Sequence, residues 1–138
     1  MDYVKFTCLG LIVMLFLSCE KEQNTTIQPA MIMGSWVNPV LDDTLWTYDK
    51  SANLKENEYG LSFEAGNVFI ERKNSGWCAT PPIAYGDFEG KWFKEDSIID
   101  ISVDFWGGTA GYRWKVISLD RNKLTIHKVS ENYQPGDQ

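Results

Sequence analysis

From Ile99 to Phe105 the chain alternates strictly. Ile99, Ile101, Val103 and Phe105 fall on one side of an extended segment, and Asp100, Ser102 and Asp104 on the other. A period of two marks a strand with one face buried and one face wet. The pattern returns at Tyr112, Trp114 and Val116, opposite Arg113 and Lys115, and again at Leu124 and Ile126. Leu61 and Phe63 share a face, Glu64-Ala65-Gly66-Asn67 holds residues that tolerate positive φ, and Val68 to Arg72 runs back, so 59–72 predicts a hairpin. Further strands are predicted over 43–48, 84–89 and 91–93, with Gly90 as a bend or bulge. Turns are predicted at Lys94-Glu95-Asp96 and Asp120–Lys123, a loop at 107–111, and a strand break at Lys73–Gly76.

The interruptions are as informative as the strands. Residues 50–58 are polar and predict a loop or a single helical turn. No stretch after residue 19 has a helical period. Residues 77–82, Trp-Cys-Ala-Thr-Pro-Pro, are irregular, because consecutive prolines cannot donate to a ladder. This loop, with Trp77 and Cys78, reads equally as a lid or as a plug over a barrel end. About eight strands with turn signals every 8–12 residues predict an all-β fold: a small antiparallel up-and-down β-barrel, with a β-sandwich as the alternative. Closure removes the bare edges that invite aggregation.

The N-terminus has a different pattern. Residues 8–18 form an uncharged apolar run, shorter than the roughly 20 residues that span a bilayer. With Lys5 before it, the run fits the apolar core of a signal peptide. It ends Phe16-Leu17-Ser18-Cys19, which resembles the lipobox of bacterial lipoproteins; the resemblance implies lipid attachment at Cys19. An ordinary cleaved signal with an incidental cysteine is the alternative. Residues 1–18 are then the signal peptide, 19–30 a polar tether, 31–133 the barrel and 134–138 a disordered tail. Glu20-Lys21-Glu22-Gln23 resembles the surface-export signal of Bacteroidota lipoproteins, and a solvated linker explains the same charges. The implied location is the bacterial cell envelope, with the lipid in the outer membrane on its periplasmic or surface face.

Charge narrows the partners. The net charge is −6, and removing residues 1–18 leaves it unchanged because Asp2 and Lys5 cancel. An acidic chain without a basic cluster is a poor match for a phosphate backbone, so no nucleic-acid partner is expected. Of three cysteines, Cys8 leaves with the signal and Cys19 takes lipid, so Cys78 has no intramolecular partner. His127 is the single histidine, which with no Cys-x-x-Cys or carboxylate cluster makes no zinc site. A Cys78–His127 nucleophilic pair lacks any orienting motif. Asp42 and Asp43 diverge if extended, and Asp100 and Asp104 read as a solvated face. No calcium loop or phosphate-binding glycine loop is present. No catalytic set, metal or cofactor is therefore expected, and the protein reads as a non-enzyme.

A lipobox, a short tether, Gly34-Ser35-Trp36 at the start of the domain and the closing hairpin Tyr112–Ile126 together resemble the small lipocalin-like lipoproteins of Bacteroidota. The resemblance implies that Trp36, with Gly34, packs across the closed end of the barrel as a structural residue. It also implies a possible binding role. Trp46, Tyr85, Trp92, Trp106, Tyr112 and Trp114 are the candidate pocket-lining residues, and core filling explains the same set. Two readings follow. One is a lipid-anchored barrel holding a small apolar ligand. The other is a filled barrel that docks an envelope protein, with no ligand and no catalysis.

Overall fold

A computed structural model describes residues 29–76 and 80–136. A short helix α1 (Pro29–Ile32) leads into eight strands: β1 (Gly34–Asp42), β2 (Leu45–Ser51), β3 (Gly60–Glu64), β4 (Val68–Asn74), β5 (Tyr85–Glu95), β6 (Ile98–Phe105), β7 (Gly108–Leu119) and β8 (Lys123–Pro135). They close into one antiparallel barrel in the order β1-β2-β8-β7-β6-β5-β4-β3. Strands β3 to β8 are joined to their neighbours in sequence. The β1–β2 hairpin fills the gap between β8 and β3, with β2 beside β8. The connection from β2 to β3 is therefore a crossover past β1 and not a hairpin. Leu54 and Val37 flank Gly60 at this crossing. Arg72 Nη1 donates to the carbonyls of Leu54 and Lys55 at 3.3 and 3.0 Å.

The inward sets come from the alternation. Ile99, Ile101 and Val103 of β6, Trp114 and Val116 of β7, and Leu124 and Ile126 of β8 are buried together with Leu61, Phe63 and Phe69. Phe63 meets Trp92 edge-on at 5.4 Å, and Phe69 meets Trp114 at 6.2 Å. One end of the barrel is sealed by the Gly34-Ser35-Trp36 segment. Trp36 has no exposed surface and donates its Nε1 hydrogen to Ile32 O of α1 at 2.7 Å. Lys50 Nζ sits 4.2 Å from the centre of the Trp36 ring and donates to Met33 O. Gly34 has φ +109°, a backbone conformation that calls for glycine.

Several elements differ from the sequence expectation. Gly90 is no bulge: β5 pairs without a register break on both sides. A Cβ at Gly90 would fall 2.2 Å from Ser102 O, so the glycine serves close approach of β5 and β6. Strand β4 continues to Asn74, and β5 runs through Glu95, which moves the turn to Asp96-Ser97. Strand β7 begins at Gly108, so the loop expected over 107–111 shrinks to Trp106-Gly107. Strand β2 starts at Leu45, after a turn at Asp43-Thr44. At the C-terminus, β8 extends through Pro135 and Gly136 N donates to Gly107 O at 2.8 Å, so residues 134–136 belong to the barrel. Asp137 and Gln138 lie outside the described residues, as do Trp77, Cys78 and residues 1–28, which include Cys19.

Candidate functional site

Among the described residues, the end opposite Trp36 is open. A cavity of about 710 Å³ descends from this mouth into the barrel. Each wall is set by strand parity. Trp46 and Tyr48 face inward from β2, Glu71 and Lys73 from β4 in phase with buried Phe69, and Phe105 and Tyr112 from β6 and β7. Strand β8 needs a device to contribute. Leu124, Ile126 and Lys128 share the inward parity, but the β7–β8 register shifts between Arg113 and Trp114, leaving Val129 unpaired. That bulge turns the odd-numbered residues inward, so Lys128, Glu131 and Tyr133 all line the cavity.

The floor is a carboxylate held by tyrosines. Glu71 is 4 % exposed. Tyr59 Oη donates to its Oε1 at 2.7 Å, Tyr112 Oη to its Oε2 at 3.1 Å, and Lys73 Nζ to the same oxygen at 2.6 Å. Tyr48 lines the cavity beside this group, and Tyr133 Oη donates to Glu131 Oε2 at 3.4 Å. Burial, and then the negative charge of Glu71, hold the phenols of Tyr48, Tyr59 and Tyr112 well above the ordinary tyrosine range. Below this layer Tyr112 stacks on Trp114, with ring centres 5.5 Å apart and planes within 7°.

The upper wall is aromatic with a second ion pair. Phe105 meets Trp106 edge-on at 5.9 Å and Tyr133 at 5.7 Å. Lys128 Nζ lies 4.7 Å from the centre of the Trp46 ring and 3.0 Å from Glu131 Oε1. No protein-family model matches this chain, and no curated protein or solved structure matches it. The cavity itself must therefore carry the functional argument.

Of the six aromatics expected to line a pocket, Trp46, Trp106 and Tyr112 do so. The other three lie elsewhere. Trp92 is buried toward the closed end and donates Nε1 to Glu64 O at 3.2 Å. Trp114 is wholly buried under Tyr112, and its Nε1 has no hydrogen-bond partner among the described residues. Tyr85 sits on the outer wall beside Glu56, Asn57, Arg72 and Asp87. On that outer surface Asp100 receives both Arg113 Nε and Nη2, at 2.7 and 2.9 Å, while Asp104 accepts from Thr109. The Arg113 guanidinium holds the Asp100 carboxyl below the usual carboxylate range. His127 is half-buried on β8 opposite Leu45 and Lys115. Among the described residues no three His, Cys, Asp or Glu side chains cluster as metal ligands would.

Proposed function

We propose that this protein is a lipid-anchored envelope barrel that binds a small, largely apolar molecule in its open half, with Cys19 carrying the anchor. The observation that carries the reading is the unfilled, aromatic-walled cavity of about 710 Å³. Its size falls within the roughly 300–1,000 Å³ of ordinary small-molecule sites. An eight-strand barrel can be filled by its own side chains, and here the Trp36–Trp114 half is. The open half weighs against the competing reading of a solid barrel that only docks a protein partner. The anchor rests on the short apolar run ending at Cys19.

Native mass spectrometry of the protein, released from membranes in mild detergent, tests the binding role. The expected result is a stoichiometric adduct that Trp106→Ala weakens. Trp106 is 59 % exposed, so its truncation leaves the core intact. A protein that stays free of adduct after incubation with envelope lipid extract would overturn the reading.

A further inference from the structure

We propose that the bound molecule carries an uncharged hydrogen-bond donor, a hydroxyl or an amide N–H, at the end that reaches the cavity floor. The inference rests on the binding role proposed above and names the chemistry of the ligand. Among the described residues, four charged side chains line the cavity: Glu71, Lys73, Lys128 and Glu131. Each cation already has its anion, with Lys73 at 2.6 Å from Glu71 and Lys128 at 3.0 Å from Glu131.

An anionic head would have to draw Lys73 away from Glu71 and leave that carboxylate buried without its counter-charge. Breaking a buried pair in this way is strongly unfavourable. An ammonium head would compete with Lys73 for the same oxygens and suffer its repulsion. A wholly hydrocarbon ligand would strip water from the phenols and from the Lys128–Glu131 pair and return no hydrogen bond.

The direction of the phenol hydrogens selects among neutral heads. Tyr59 and Tyr112 give their hydrogens to Glu71. A hydroxyl that has donated still has lone pairs to offer. Donation to a carboxylate makes those lone pairs better acceptors. At Tyr59 and Tyr112 the floor therefore presents acceptors, and the head that matches these two phenols is a donor.

Four probes with one tail length separate these cases: 1-octanol, octanoate, octylammonium and methyl octanoate. Each is titrated into the full protein, with tryptophan fluorescence as the readout. The expected order places 1-octanol about tenfold tighter than each of the others. Octanoate, octylammonium or the acceptor-only ester binding as tightly as the alcohol would overturn the head-group assignment and leave the binding role standing. Failure of all four at about 1 mM would remove both. Glu71→Gln leaves Lys73 without its counter-charge, so octanoate should become the preferred probe. Should that variant fail to fold by circular dichroism, Lys73→Gln asks the same question at the floor from the other side. It leaves Glu71 without its counter-charge, and octylammonium should gain about tenfold. An unchanged order in the folded variant would overturn the proposal.

Discussion

A carboxyl group buried inside a barrel needs hydrogen-bond partners, and among the described residues Glu71 has three donors. The same arrangement perturbs the donors. Tyr48, Tyr59 and Tyr112 hold their protons more tightly in the folded state than in the unfolded chain. Groups with raised folded pKa values contribute stability that is complete below the unfolded value, about 10 for tyrosine. That contribution is lost as the pH climbs above 10 toward the folded values. An alkaline titration at 295 nm should therefore show these three phenols silent at pH 10. They should ionise only as near-ultraviolet circular dichroism collapses. Ionisation of all the tyrosines with an ordinary midpoint of about pH 10, with the dichroism intact, would refute the buried network. Part of this site was legible in the residues. Glu71 shares its parity with Phe69 in the predicted hairpin strand, and a charged residue in phase with core positions is a signal. Tyr48 likewise follows Trp46 by two. Nothing local tells Trp46 from Trp92 or Trp114. All three point inward, and only the height of each along the barrel decides whether it meets the cavity.

At the scale of the element, the strands were readable wherever alternation runs unbroken, as from Ile99 to Phe105. Bulges hide from such a reading, because the residue that shifts the phase looks like any other. Val129 is the instructive case. Extending the Leu124–Ile126 parity puts Glu131 and Tyr133 outside, whereas the bulge turns both inward. Gly90 shows the converse: a glycine that suggests a bulge instead admits the backbone of the neighbouring strand. Deleting Val129 removes the unpaired residue and leaves Lys128 and Glu131 on one face of a regular strand. It should preserve cooperative melting and the tryptophan emission maximum. Deleting Ser102 from β6, whose pairing is regular on both sides, should unfold the barrel, since a one-residue slip sends one strand's core side chains to solvent. Equal damage from the two deletions in a thermal melt would contradict the role given to the bulge.

For the molecule as a whole, the two ends of the barrel have different neighbours in sequence. Pro29 and α1 stand at the sealed end beside Trp36, while β8 finishes at the mouth beside Gly108. The described chain therefore enters the barrel at its sealed end, downstream of the proposed lipid site Cys19. Cys19→Ala should abolish labelling by an alkyne fatty acid in cells and move the protein from the detergent phase to the aqueous phase. Retention of either property would exclude Cys19 as the anchor. The closed all-β architecture followed from alternation and turns, because those are local. The order of the strands did not, because the β2–β3 crossover sits in the polar residues 52–59, which specify a loop without its path.

That crossover has a consequence for how the chain reaches its final form. Strands β3 to β8 can assemble from sequential neighbours, but the first hairpin must slot between the outermost two. The Thr47–Thr125 contact joins residues 78 apart in sequence, and closing so long a loop is slow compared with forming a hairpin. Until it closes, β3 and β8 are bare edges. At high concentration a second molecule can insert its own hairpin there, with residues 52–59 as the hinge. The barrel then has a built-in route to a domain-swapped dimer in which each cavity takes Trp46 and Tyr48 from the other chain.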